Sequence, residues 1–267
     1  MAHKTTALTN EEYRSVKAYS KSDLDNANKS VALLDWNKGV PRSKSDVADI
    51  GNATHAALLE PDVFARDYVK MPDFDLRTNA GKLSRDGFIS GMDQSKKNVL
   101  THDDYEMVIG MRDSALAHPI INQLLTSKGE SEVSIFFDVD GVKCKCRPDR
   151  IVDPSVFNQH IIVDVKTCAD VSKFNFSARD YRYDVQAYWY MKGYAQLTGH
   201  KPRFLFAVVG KNKVFGSHQA RLFELDEETV EQGGVEAMKD LEAIKEFEEF
   251  GLGGLEVETL KLPKKWN

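Results

Sequence analysis

The sequence reads as an α/β sandwich with a mixed sheet. Three observations predict it. Apolar residues recur at helical spacing through much of the first half, the middle switches to period two around an Asp-Gly turn, and the end runs helix, strand, strand, helix. With 267 residues, 42% of them hydrophobic and 29% charged, the chain can bury a full core. No repeat, low-complexity segment or long linker divides it, so residues 1–267 are expected to form one domain.

In chain order, Ser22 is placed to cap a helix reaching about residue 36, and residues 49–59 carry apolar side chains at helical spacing. Gly81, Gly87 and Gly91 punctuate residues 72–98, which read as a long irregular connection. Across 103–125, Tyr105, Val108, Ile109, Arg112 and Leu116 share a helical face that Pro119 bends or breaks. Residues 133–137 are β-rich, Asp140-Gly141 is a hairpin signal, and 142–147 alternate as a half-buried strand. A turn at Asp153-Pro154 leads to an apolar strand over 160–166. A helix at 184–197, a buried strand at 204–209, a further strand at 214–225 and an amphipathic helix at 227–250 complete the expectation.

The formal net charge of −5 argues against a protein that coats nucleic acid through its overall field. Basic residues gather at 14–29, 77–85, Lys143, Lys145 and Arg147, and 166–182, while the acid excess lies at 226–249. Each cluster alone is compatible with a solvated face, and together they suit a basic groove on an acidic body. The longest apolar runs are strand-length, far short of the roughly 20 residues that cross a bilayer, so no membrane partner is expected. Cys144, Cys146 and Cys168 are odd in number and lack paired zinc spacing, and the N-terminus does not read as a signal peptide. A reduced, cytoplasmic setting is the expectation.

The sharpest chemical signal is Pro148-Asp149 followed by Asp164-Val165-Lys166. Residues two apart on a strand point to one face, so Asp164 and Lys166 set a carboxylate and an ammonium side by side while Val165 turns into the core. Asp149, expected near the end of the preceding hairpin, can bring a second carboxylate there. Such oxygen ligands suit magnesium or manganese, and phosphodiester hydrolysis needs a cation to neutralise the phosphate and supply hydroxide. A surface ion pair at a strand end is the alternative reading of the tripeptide. Glu132, just ahead of a strand, could add a carboxylate or be a solvated edge residue. His55 on the 49–59 helix could ligate a second metal or be a packed histidine. Gln186 and Tyr190, four apart, share one helix face.

Gly51-Asn52-Ala53-Thr54-His55, Glu132, Arg147-Pro148-Asp149, Asp164-Val165-Lys166-Thr167 and Gln186-Ala187-Tyr188-Trp189-Tyr190 together resemble the successive motifs of the RecB-type branch of the PD-(D/E)XK nucleases. Leu58-Leu59-Glu60-Pro61, Arg77-Thr78-Asn79-Ala80-Gly81-Lys82, Asp180-Tyr181-Arg182-Tyr183 and Leu260-Lys261-Leu262-Pro263 narrow the likeness to RecE-type exonuclease domains, in order from about Tyr19 to Trp266. The resemblance implies a restriction-endonuclease-like core, a central mixed sheet flanked by helices with a helical N-terminal segment. It implies digestion of linear double-stranded DNA from 5′ ends, leaving 3′ single strands for a RecT-type annealing protein. Carried over by position, Asp149, Asp164, the Val165 carbonyl and Glu132 would hold Mg2+, with Mn2+ as substitute. His55 would hold a second ion. Lys166 would orient or activate water, and Gln186 and Tyr190 would support Lys166 and the DNA backbone. A homo-oligomeric ring is implied, tetramer favoured and trimer the alternative.

Two other classes share this core: an endonuclease or CRISPR-adaptation nuclease, and a non-catalytic DNA-binding module. The adaptation nucleases usually use four cysteines for an iron-sulfur cluster, which three cannot supply, and a module without chemistry would have lost Asp149, Asp164 or Lys166. For a 5′-phosphate grip, Ser22, Arg147 and Lys173 are the candidates, since charge-assisted bonds and helix N-termini favour anions.

Overall fold

The computed structural model describes residues 2–6, 8–39 and 49–251. After β1 (His3–Thr5) come α1 (Asn10–Ser15), α2 (Lys21–Lys29), α3 (Val31–Gly39), α4 (Ile50–Leu59) and α5 (Pro61–Asp67). Next are β2 (Tyr68–Lys70), α6 (Asn79–Gln94), β3 (Asn98–Leu100), α7 (His102–Ala117) and α8 (Pro119–Thr126). The middle holds β4 (Gly129–Ser131), β5 (Ser134–Val139), β6 (Val142–Cys146), β7 (Arg150–Val152), α9 (Pro154–Phe157) and β8 (Ile161–Cys168). A 3-10 turn (Val171–Lys173), α10 (Phe174–Asp180), α11 (Tyr183–Thr198), β9 (Arg203–Val214), β10 (Ser217–Glu224) and α12 (Glu227–Phe250) follow.

The central sheet has the order β10-β9-β8-β7-β4, with β8 and β9 parallel and the other neighbours antiparallel. This is the predicted mixed sheet. Period-two alternation along β8 sends Ile161, Val163 and Val165 into one apolar cluster with Ala53 of α4, Met111 of α7 and Leu124 of α8. Ile162 and Cys168 face the opposite cluster, with Trp189 of α11, Phe206 of β9 and Leu241 of α12. Helices therefore cover both faces. Asp164 and Lys166 occupy positions on the second face and interrupt its apolar surface.

A second sheet, β1-β5-β6, contains the predicted hairpin, and its Asp140 and Gly141 adopt φ of 51° and 85° as a primed turn requires. The two sheets are joined by one continuous strand pair. Ser131 faces Arg150 where β4 pairs with β7, and Ile135 faces Cys146 where β5 pairs with β6, which is the same register carried across a bend. Glu132 makes the bend on one strand with φ of 53°, an uncommon left-handed conformation for a side chain of its size. Pro148, with no N–H to offer a ladder, sits opposite.

Three expectations need correction. The first helix is capped not at Ser22 but at Ser20, whose amide and hydroxyl both donate to Asp23 Oδ2 at 2.7 Å. It stops at Ser30, whose extended backbone divides α2 from α3. Residues 72–98 are not wholly irregular: Thr78 Oγ1 accepts from the Gly81 amide at 3.0 Å and starts the sixteen-residue α6. Gly81 is there because a Cβ would lie 2.1 Å from the Asp75 carbonyl, whereas Gly87 and Gly91 face open space. Each of those costs a helix about 1 kcal/mol against alanine without breaking it. Asp149 lies near the end of the hairpin as expected, between β6 and the short β7.

Arg182 ties three helices at the site's flank. Its guanidinium reaches Asp240 Oδ2 of α12 at 2.5 Å and Asp25 Oδ1 of α2 at 3.3 Å, and the Asp240 side chain is only 2% exposed. Removing one partner of a buried pair strands the other charge, typically at about 3–5 kcal/mol. Arg182→Ala should therefore lower the urea midpoint with little change in slope, and adding Asp240→Asn should recover part of the loss. A single-variant cost below about 1 kcal/mol would show the pair to be peripheral.

Candidate metal centre

The bend positions the carboxylates. β7 and β8 pair through Arg150 and Val163 and then part, which leaves the Val165 amide without a ladder partner on that side. Asp149 Oδ2 accepts from it at 2.7 Å. The Glu132 amide donates to the Asp149 carbonyl at 3.0 Å, so the kinked backbone holds the two acidic residues in register. The third member comes from α4, whose N-terminus is capped by Asp49 Oδ1 accepting from the Asn52 amide at 3.0 Å. Gly51 leaves room for that cap, since a Cβ there would lie 2.8 Å from Asp49 Oδ1, while Thr167 Oγ1 of β8 would stand at an ordinary contact distance of 3.6 Å. One turn on, His55 Nδ1 lies 3.4 Å from Asp149 Oδ2. One ligand atom each from His55, Glu132 and Asp149 lies within 4.8 Å of the others.

Beside this triad lies the Asp164–Lys166 pair. The Asp164 side chain is 1% exposed; its Oδ1 accepts from Gln186 Nε2 at 2.5 Å, and Lys166 Nζ stands 2.6 Å from its Oδ2. The ammonium approaches off the hydrogen-bonding direction, so this buried oxygen has a charge partner but no aligned donor. The Tyr183 ring lies 4.8 Å from the same ammonium.

Burial is the first cause of the shifts here, and neighbouring charge the second. Burial pushes the Asp164 carboxyl up to about 6, with Lys166 opposing and Asp149 adding. Burial, then the Asp149 charge, pushes Glu132 up to about 8 against the pull of Arg147, with Glu60 and Asp164 adding to the rise. Burial works against the Lys166 charge, yet Asp164 and Asp149 outweigh it and its pKa is raised, so Lys166 stays an ammonium at neutral pH. Buried carboxylates gathered around one imidazole, with an oxygen lacking an aligned donor, fit a hard divalent cation of the magnesium or manganese class.

The structure thus brings together His55, Glu132, Asp149, Asp164, Lys166 and Gln186. Gln186 meets Asp164, the partner of Lys166; Tyr190 packs edge-on against Phe204 at 6.0 Å and lies close enough to Asp164 and Asp149 for their charges to add to the rise that burial gives its phenol pKa, and Tyr183 stands beside the lysine. Val165 touches Asp149 through its amide. Arg147 binds both the carbonyl and the carboxylate of Glu132, at 3.1 and 3.0 Å, and the Leu8 carbonyl at 3.0 Å, leaving only Nη1 buried without a partner. Ser22 is exposed in the first turn of α2, and Lys173 is exposed at the end of the 3-10 turn. Tyr183 was not anticipated as a site residue, although it lies three before Gln186 and so shares its helix face. Nor was Glu60, whose charge acts on Glu132 from the end of α4.

The profile of a family described as a PDDEXK-like domain of unknown function (DUF3799) matches residues 16–250. No curated protein matches the chain. A crystal structure from Eubacterium rectale, of a protein provisionally described as an exonuclease, superposes with a TM-score of 0.60 at 15% identity, covering 98% of this chain and 97% of that one. At that identity the likeness concerns the fold.

The raised carboxyls give a pH signature. A carboxyl whose pKa rises on folding, from 3.8 to about 6 for Asp164 and from 4.5 to about 8 for Glu132, holds more protons folded than unfolded between those values. Stability contributed by the cluster therefore falls as pH rises from about 4 to about 8. A divalent ion binds the deprotonated folded form and opposes that loss. Thermal melts should show manganese raising Tm more at about pH 8.5 than at about pH 5.5, with the difference reduced in Glu132→Gln. Equal shifts at both pH values would remove Glu132 and Asp164 from the binding set.

Proposed function

The chain belongs to the family of PDDEXK-like domains of unknown function (DUF3799), and on that premise we propose that it is a magnesium-dependent exonuclease acting on linear duplex DNA. The observation that carries the reading is the meeting of His55, Glu132 and Asp149 beside the Asp164–Lys166 pair. A phosphodiester is anionic and gains charge as it is hydrolysed; a divalent ion bound there neutralises it and lowers the pKa of water. Glu132, Asp149, Asp164 and His55 are the residues that would hold such ions, one or two per site. Gln186 fixes the orientation of Asp164, and Arg147 that of Glu132. Since Lys166 remains protonated, its role is to donate to the attacking oxygen or to a phosphate oxygen, stabilising developing charge rather than removing a proton.

The finer reading rests on the RecE-type motifs; the Eubacterium rectale protein's description goes only as far as exonuclease. On that reading strands are resected from 5′ ends and 3′ overhangs pass to an annealing protein. A ring of identical chains, four or three, would keep the enzyme on DNA. Ser22, Lys173 and Arg147 are candidates for holding the terminal phosphate, with the Arg147 guanidinium already engaged by Glu132 and the Leu8 carbonyl.

End-labelled linear duplex and closed circles, each with and without magnesium, test the reading. Linear DNA should be degraded and circles spared. Lys166→Ala or Asp164→Asn should cut the rate by about 100- to 1,000-fold with folding retained, and calcium should support little cleavage because its looser coordination positions water poorly. Wild-type turnover by Lys166→Ala would displace the assigned centre, and efficient nicking of circles would replace the exonuclease reading with an endonuclease.

For end selection, a 5′-phosphate should speed digestion over a 5′-hydroxyl. Lys173→Ala or Ser22→Ala should reduce that preference, and both are cleaner tests than Arg147→Ala, which would also release Glu132. No preference in the wild type would discard the terminal-phosphate grip.

A further inference from the structure

Next to the metal centre an aromatic side chain stands in solvent on a rigid mount. Tyr181 is 63% exposed, yet its ring stacks on Tyr183 at 5.9 Å and 27° between planes. Tyr183 in turn stacks on the buried Phe206 at 5.5 Å and lies 4.8 Å from Lys166 Nζ. The three rings form a ladder from core to surface, with the Lys166 ammonium at its middle rung.

The backbone beneath is pinned. The Tyr181 amide donates to the Ser177 carbonyl at 2.9 Å, and its carbonyl accepts from Lys21 Nζ at 2.6 Å. The next residue, Arg182, holds a left-handed φ of 53° and is clamped by Asp25 and Asp240. A side chain in that conformation is strained and persists only where its surroundings hold it. Its effect here is directional: Tyr183 turns inward beneath Lys166 and Tyr181 turns outward beside it. Lys21, which pairs with Asp25 Oδ2 at 2.7 Å, lies close enough to Lys166 for that charge to help lower its pKa, although burial is the larger cause and Asp25 opposes it, so two cations border the platform.

An exposed ring that adds little to the core, beside cations that would hold a phosphate, is the arrangement by which proteins take up unpaired nucleotides, since every base has a π-face to stack. We propose that Tyr181 is a stacking platform for an unpaired nucleobase adjacent to the phosphate at Lys166, so that the strand enters the site single-stranded at that nucleotide. This rests on the nuclease reading above and specifies the form in which its substrate is held. Tyr181 acts by positioning and touches none of the reacting atoms.

The test is steady-state digestion of linear DNA by wild type, Tyr181→Ala and Tyr181→Phe, repeated on substrates carrying one abasic nucleotide at successive positions from the end. Tyr181→Ala should raise KM by roughly tenfold, in keeping with the loss of one base–aromatic stack, with kcat within about twofold, and Tyr181→Phe should behave as wild type. In the wild type one abasic position should raise KM similarly, and in Tyr181→Ala that position should add nothing further. An unchanged KM in Tyr181→Ala, an abasic penalty equal in both proteins, or a change in oligomer mass alone overturns the platform and leaves the nuclease reading intact. Should Tyr181→Ala fold poorly, the wild-type abasic series still decides, because insensitivity at every position sinks the proposal. A wild type inert on all DNA with magnesium or manganese removes the nuclease reading, and the platform with it.

Discussion

The bend in the strand pair at Glu132 and Pro148-Asp149 is the constraint on which the site depends. An uninterrupted ladder would use every backbone donor of β8 and direct alternate side chains to two closed faces. By bending away after Arg150, the pair frees the Val165 amide, and Asp149 takes it. The same bend turns Glu132 through a left-handed backbone to the same point, in an unbroken register that ties its position to Asp149. Two carboxylates are thus placed by backbone geometry, which is stiffer than a pair of surface rotamers. His55 depends on the bend more loosely, since it reaches Asp149 from α4, a separate element.

Having gathered acidic groups, the fold must keep them from driving it apart. Asp164 is offset by Lys166 and Gln186, Glu132 by Arg147, and Lys166 by the Tyr183 ring as well as by carboxylates. The offset is incomplete, since both Asp164 and Glu132 hold protons more tightly than ordinary carboxyls. The cluster is a stored demand for positive charge. That links the two halves of the chemistry: the environment that binds a cation also keeps Lys166 protonated as a donor.

Much of this was legible in the sequence, for identifiable reasons. Helices with a core-facing period, such as α7, α11 and α12, and the Asp-Gly hairpin carried their own signals. Asp164 and Lys166 declared themselves because spacing of two on a strand is enough to put them on one face. Asp149 was singled out near the end of the hairpin, where it lies, but the strand after it was not read: β7 spans only Arg150–Val152, and a three-residue strand has no period to read. Helix α6 was hidden because it buries none of its residues and carries three glycines, so neither pattern nor propensity betrayed it. The unforeseen contact of Gln186 with Asp164 and the absence of Tyr183 from the expected set share one cause. A helix face states which residues point the same way, but contact with Asp164 or Lys166 depends on how α11 packs across β8 and β9.

The chain's overall acidity sharpens the consequence. A net charge of −5 and an acidic α12 give no long-range attraction for DNA, and the site itself is an anionic pocket. On the nuclease reading, a phosphate arriving without metal would meet the Asp149 and Asp164 carboxylates, and the cations there, Lys166, Arg147 and Lys21, are each already engaged by a carboxylate. Metal and DNA must then bind as mutually dependent ligands, each supplying the charge that the other lacks. By linkage the dependence is reciprocal, so DNA raises the site's affinity for the ion by the same factor as the ion raises its affinity for DNA. Discrimination between a phosphate seated at the centre and one elsewhere on the surface then comes from the ion, held where the bent strands place it.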